Sequence, residues 1–372
     1  MNRILCTTAA LCLFGTTASA ESYQATNWMG LNHVLNGVSF VKMNEDIKRE
    51  TQDEIAFEIY SNAALVPAAT TLSAVGDGVA QLGIVAASYT PSDLPLSGML
   101  NDLGFITRDE FAAAFALTEI GVTNERMQNE YSVHNTVLAG AYSTPLYYFF
   151  CASDVTDLAS VKGRKIRTAG TAQNSWIASI DAIPVAVPMN DAYSGLERGS
   201  VDCVLADPTN LDTGFKLQEV IKTITMLEQG ATTGATYVWN ADFWKEIGPE
   251  NRRKILDVTG INLARAQVAY YLGTAQGFES AKKLGIRFND SAPDLVAARD
   301  AFSAKYLADI AASTMKARGI DDPSAVADDY IALVAKWEKL LAGVDRTDAD
   351  AIGKIVHQEI FAGLDAETFG VK

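Results

Sequence analysis

Histidine, cysteine and positive charge are scarce in this chain. Three histidines stand among 372 residues, His33, His134 and His357. None lies at metal-ligand spacing from another histidine or from a cysteine. There is no Gly-x-Ser-x-Gly elbow, no His-Glu-x-x-His helix and no phosphate-cradling glycine loop, so the common sequence marks of hydrolases and nucleotide enzymes are missing. Cys151 or Cys203 with His134 has the residue types of a thiol nucleophile, but nothing marks either thiol as activated. Lys and Arg number 30 against 45 Asp and Glu, a formal charge of −15. Nucleic-acid affinity comes from neutralising phosphates with cations, so that partner class is excluded. No run reaches the roughly 18 apolar residues that a membrane-spanning helix needs. Internal repeats and low-complexity linkers are absent as well.

What is present begins with a leader. Met1-Asn2-Arg3 is followed by an apolar stretch over 4–14 and by Ala18-Ser19-Ala20, the pattern of a cleaved secretory signal over 1–20. The expectation is an exported protein, not membrane-inserted, that begins near Glu21. Cys6 and Cys12 lie inside the leader, and neither follows the small residue a lipid-attachment site needs. Cys151 and Cys203 remain. Export makes a disulfide between them chemically allowed. Spacing leaves that bond and two separate buried thiols equally open. With Arg3 removed the protein is still more acidic, so an anion site here must work by local, buried cations rather than by a long-range field.

The length exceeds one ordinary core and points to two lobes. Strand-type runs fall at 23–26, 55–60, 79–85, 136–141, 146–150, 220–226 and 236–239. Helical spacing covers 32–50, 70–76 and a single segment at 108–130. From Pro249 the chain reads as almost unbroken helix over 249–284, with Ile255, Val258, Leu263, Val268, Tyr271 and Leu272 on one apolar stripe. Gly260, Gly273 and Gly277 are its weak points. Further helices follow at 293–315, 324–341 and 348–361. Alternating β and α segments predict an α/β protein with a parallel, doubly covered sheet in each lobe. Ligands of such folds gather at strand ends, here in the cleft between lobes.

The densest block lies at 158–202. It contains Lys162-Gly163-Arg164-Lys165-Ile166-Arg167, the run Pro184-Val185-Ala186-Val187-Pro188, and Tyr193, Leu196, Gly199, Val201 and Asp202. Arg167 stands at the exit of a β run, where a planar guanidinium is suited to grip a carboxylate. A salt bridge to Asp202 or Asp207 is the alternative use of that charge.

This block, with Tyr60-Ser61-Asn62-Ala63-Ala64-Leu65-Val66-Pro67, Val79-Ala80-Gln81-Leu82-Gly83 and Trp239-Asn240-…-Phe243-Trp244, resembles the periplasmic solute-binding subunits of tripartite ATP-independent periplasmic (TRAP) transporters, the DctP-type family. The likeness runs from about residue 23 to 285. It implies a two-lobed, type II-like periplasmic binding protein fold with long helices and a helical C-terminal region. It implies a periplasmic protein that binds a small organic acid, needs no cofactor and delivers its ligand to TRAP membrane permease subunits. The lobes would be 21–143 with 233–272, and 144–232, braced by 273–372.

The resemblance assigns Arg167 to the family's carboxylate clamp. Cys203 stands where the family often has glycine, and Asp207 or Asn210 takes the place of a frequent site asparagine. Many dicarboxylate binders carry a second arginine about twenty residues before the clamp. Here that region is Tyr147-Tyr148-Phe149-Phe150, which argues against a dicarboxylate. The Glu-Trp pair that helps hold a metal in the family's oxo-acid binders is missing, so no metal is expected. Trp28 in a glycine-containing loop, Tyr147 and Tyr237 are candidate pocket aromatics, with Phe105 and Trp176 behind them. Asn32 and His33 are candidate hydrogen-bond donors beside Trp28. A sensor that docks on a membrane receptor would use the same lobe closure and is the alternative function. An exported enzyme is the remote one.

Overall fold

The computed structural model describes residues 22–371 apart from Ile106; the expected leader lies outside the described residues. Among the described residues eleven strands follow in order: β1 (Ser22–Thr26), β2 (Ala56–Tyr60), β3 (Leu82–Val85), β4 (Thr136–Ser143), β5 (Tyr148–Cys151), β6 (Lys165–Thr168), β7 (Ile183–Ala186), β8 (Cys203–Ala206), β9 (Thr223–Met226), β10 (Thr233–Asn240) and β11 (Arg287–Asp290). They form a five-stranded sheet, β2-β1-β3-β10-β4, and a six-stranded sheet, β11-β9-β5-β8-β6-β7. β3, β4 and β8 are buried along their whole length. Their near-continuous small and apolar residues suit strands covered on both faces. β7 carries Pro184 and lies at a sheet edge, where a missing N–H costs no ladder bond.

The wholly parallel sheets expected from the β–α alternation are not what forms. β10 runs antiparallel to β3 and β4, and β5 antiparallel to β8 and β9. The chain passes between sheets through the short segments 144–147 and 227–232, too short for the helical crossover that enforces parallel pairing. These two segments pair with each other. Thr144 N donates to Thr232 O (2.9 Å), Tyr147 N to Gly230 O (2.7 Å) and Gln229 N to Tyr147 O (3.0 Å). Gly230 has φ +89°, and a Cβ there would meet Phe105 O at 1.5 Å. Only glycine fits this crossing.

Cys151 and Cys203 face each other across β5 and β8 and are joined as a disulfide, with Cα atoms 4.1 Å apart. This settles the pairing that spacing left open. The helix expected over 108–130 is two, Glu110–Thr123 and Glu125–Ser132. Asn124 breaks it by accepting from Arg126 N and Met127 N at the start of the second.

The helix Gly248–Lys283 is continuous and buries Ile255, Val258, Leu263 and Val268 of the expected stripe, which departs from expectation only at its end. Tyr270 is buried, whereas Tyr271 and Leu272 are exposed. Gly277, read from sequence as a weak point, is where the Pro208 carbonyl approaches, 2.0 Å from where a Cβ would stand. The helix Pro293–Arg318 packs on both Pro95–Gly104 and Thr171–Ser179. At that junction the Asp102 carboxylate accepts from Ala172 N (2.9 Å), Arg318 Nη2 (3.2 Å) and the Tyr306 hydroxyl (3.2 Å). β11 falls in the tail expected to be helical almost without interruption, and it extends the second sheet beside β9.

Candidate functional site

Where the two sheets face each other lies a small, partly open cavity of about 30 Å³. Its walls come from both halves. Trp28, His33, Ser88, Tyr89 and Tyr142 belong to the first; Tyr147, Ala169, Met189, Asp207, Asn210, Phe215 and Thr232 lie between β4 and β10; Tyr270 comes from the long helix. Indole, imidazole, phenyl and four phenol rings make it an aromatic box with polar tips. Trp28 packs edge-on to Tyr89 (5.4 Å) and stacks towards Phe215 (6.5 Å).

Arg167, on β6, is fully buried. Its Nε donates to Val187 O (2.9 Å), Nη1 to Leu205 O (3.3 Å) and Nη2 to the Tyr89 hydroxyl (3.2 Å). All three acceptors are neutral. Among the described residues no ion pair holds it, and the two aspartates considered as partners are engaged elsewhere. Asp202 accepts from Lys165 N (2.8 Å). Asp207 accepts from Thr209 N (3.0 Å), the Thr209 hydroxyl and Asn210 Nδ2 (2.7 Å), capping the turn Pro208–Asn210. A buried guanidinium on neutral acceptors is anchored and aimed but not neutralised.

Burial sets the remaining charges. The Asp207 carboxyl is pushed up to about 6 by desolvation, against the lowering pull of its Thr209 and Asn210 bonds. His33 is lowered to about 4 by the same cause. Its Nδ1 accepts from Leu35 N (3.2 Å), which leaves the proton on Nε2 as a donor. The phenols of Tyr142, Tyr147 and Tyr270 are raised by burial and stay protonated. Trp28 Nε1 and Asn210 Oδ1 are buried without a hydrogen-bond partner. Among the described residues no group of three His, Cys, Asp or Glu is placed to hold a metal ion, and no helix is long and apolar enough to cross a membrane.

Of the residues singled out from sequence, Trp28, His33, Tyr147, Asp207 and Asn210 line the cavity, and Arg167 reaches its wall through Tyr89. Asn32 is exposed on the turn before the helical segment that starts at Asn36. Tyr237 is buried under the first sheet, its hydroxyl paired with that of Ser39 and its ring beside Phe40. Trp176 donates to Gln229 Oε1 (2.5 Å) within the second core, where Phe105 also lies. Ser88, Tyr89, Tyr142, Phe215, Thr232 and Tyr270 were not singled out. Ser88 and Tyr89 carried a usable signal, since they follow the apolar run of β3, and strand ends are where ligands gather. Tyr270 carried none that separates it from Tyr271.

Residues 27–311 match the family described as bacterial extracellular solute-binding protein, family 7. A curated "Solute-binding protein" of Albidiferax ferrireducens is 22% identical over 192 residues, which is 50% of this chain and 54% of that one. The chain thus matches about half the length of that relative. Among solved structures, an extracytoplasmic solute receptor of Bordetella pertussis binding pyroglutamic acid superposes with a TM-score of 0.73 at 18% identity, over 85% of this chain and 100% of that one. A marine-metagenome TRAP solute-binding protein from an unidentified microbe, specific for aromatic acids and holding 3-hydroxybenzoate, gives 0.74 at 20%, over 85% and 98%. At these identities the likeness is one of fold.

Proposed function

Because the chain belongs to family 7 of the bacterial extracellular solute-binding proteins, we propose that it captures a small, ring-bearing monocarboxylate between its lobes in the periplasm and delivers it to the membrane subunits of a TRAP-type permease. Arg167 is the observation that carries the ligand class. A fully buried guanidinium held only by neutral acceptors calls for an anion on closure. The residues lining the cavity include no Lys or Arg, so Arg167, behind Tyr89, has no second cation beside it there, which suits one carboxylate rather than two. The aromatic box suits a flat ring, and proteins of the same fold hold pyroglutamate and 3-hydroxybenzoate.

The lobes are 21–143 with 233–272, and 144–232 extended by β11 from the C-terminal part, whose helices brace them. The paired segments at 144–147 and 227–232 act as the hinge. A cavity of about 30 Å³ has room for a water or two, so a ring acid enters an opened molecule and is enclosed as the lobes close. Closure strips water from the ion pair and strengthens it, which ties ligand binding to the open–closed equilibrium.

The test is calorimetric titration of the refolded mature protein with benzoate, 3-hydroxybenzoate and pyroglutamate, backed by thermal shift. An acid at a hundred times its Kd stabilises the protein by about 2.7 kcal/mol. Arg167→Ala is expected to lose roughly 100-fold or more in affinity while the ligand-free protein keeps its circular dichroism. Arg167→Lys, which keeps charge but not the fork, should fall between. Binding by none of the acids, or equal binding by Arg167→Ala, would refute the carboxylate reading.

A further inference from the structure

Arg167 grips from one lobe only, yet its third hydrogen bond crosses the cleft. The acceptor, Tyr89, ends the short turn Ala87–Tyr89 that follows β3 in the middle of the first sheet. Its hydroxyl accepts twice, from Arg167 Nη2 (3.2 Å) and from Met189 N (3.1 Å), and both donors belong to the second lobe. A phenol oxygen has two acceptor positions and one proton. With both acceptor positions filled, the O–H is committed to donating. One of the incoming donors is a cation, which polarises the hydroxyl and makes it a stronger donor. Tyr89 also lines the cavity, beside the anchored guanidinium.

We infer that Tyr89 is a specificity-determining residue of the acid site, whose hydroxyl donates to the carboxylate gripped by Arg167 and so couples the ligand's negative charge to lobe closure. The inference rests on the carboxylate reading above. The same turn, Met189–Asp191, is tied to the first lobe at a neighbouring point, where Asn190 Nδ2 donates to Trp28 O (2.9 Å). Opening the cleft therefore separates Tyr89 from Arg167 and Met189 together. A carboxylate that accepts from the Tyr89 hydroxyl and from the guanidinium N–H groups not bonded to Tyr89 adds charge-assisted bonds that exist only in the closed form, with the Arg167–Tyr89 bond kept. An uncharged isostere of the same shape gains far less from closure, so Tyr89 selects for charge as well as holding it.

Tyr89→Phe removes one oxygen and keeps the ring that packs on Trp28. Wild type and variant are titrated with benzoate and with benzamide by calorimetry and ligand-observed NMR, and closure is followed by small-angle scattering. The variant is expected to lose about tenfold or more in benzoate affinity, to change less than about threefold for benzamide, and to stay more expanded at saturating benzoate. A merely structural role for Tyr89 would weaken both ligands alike, and that result overturns the inference. So does unchanged or tighter benzoate binding, the mark of a hydroxyl that only stoppers Arg167. Should benzamide bind neither protein, scattering decides, and full closure of the variant by benzoate overturns it. Benzoate binding lost in Arg167→Ala but kept in Tyr89→Phe removes Tyr89 alone. Wild-type protein that binds no benzoate removes the ring-acid reading and this inference with it.

Discussion

His33 shows how burial alone sets a charge at the cavity. The imidazole packs edge-on to Phe215 and Tyr270, and desolvation lowers it to about 4. An unfolded histidine titrates near 6.5. As pH falls from about 6.5 to 4, the unfolded chain takes up a proton that the folded one refuses, so this residue makes stability fall with acidification, by up to about 3 kcal/mol. Asp207 and Asp102 act in the opposite sense. Burial raises both to about 6, so the folded protein binds protons first and stability rises as pH falls through that window. The opposing slopes partly cancel in the wild type. His33→Gln should unmask the carboxyls, its urea midpoint rising relative to wild type between pH 7 and 4.5. A pH-independent difference between the two proteins would mean that His33 is not held neutral.

Among the elements, β5 and β8 are joined by a bond the sequence allowed but did not require. Adjacent antiparallel strands bring Cys151 opposite Cys203, and the pair closes a loop with a sequence separation of 52. That loop holds β6, Arg167 included. The double variant Cys151→Ala/Cys203→Ala should lose roughly 2–4 kcal/mol in denaturant unfolding, with little change in acid affinity under native conditions. An unchanged unfolding midpoint would show that the cross-link contributes nothing to stability. The neighbouring Lys162–Arg167 run was legible because charge, glycine and a short apolar strand fall in fixed order. The split at Asn124 was not, because an apolar face continues across it and only the cap geometry ends one helix and begins the next.

For the whole molecule, the decisive place is the paired crossing between the sheets, proposed above as the hinge. Gly230 sits at φ +89° with the Phe105 carbonyl where a side chain would begin, whereas Gly163 at φ +71° has nothing within 4 Å. Both substitutions by alanine carry left-handed backbone strain, but only Gly230→Ala must also displace backbone. Gly163→Ala is expected to cost about 1 kcal/mol and Gly230→Ala roughly 3 kcal/mol or more, with altered closure in scattering for Gly230→Ala alone. Equal losses would mean the close approach at 230 relaxes freely. Elsewhere, Asp102 gathers the helix start at Ala172 and Arg318 at a second junction outside the cavity.

The sequence by itself determined the two-lobed α/β plan, most strand and helix positions, and Arg167 as a cation at a strand end, the residue proposed above to hold the acid. These follow from local patterns: apolar runs, helical spacing, and a cation placed at the end of a strand. Tertiary structure alone decided the antiparallel β5 and β10, the disulfide, and the burial of Tyr270 in place of Tyr271. It also decided which polar groups share the cavity. Asn32 and Tyr237 had the right chemistry at neighbouring positions, yet one faces solvent and the other the core. Tyr89 meets Arg167 only because segments far apart in the chain bring its hydroxyl to the guanidinium. Local sequence fixes which element a residue joins, while a site between two lobes is set by long-range packing, which no single stretch of sequence encodes.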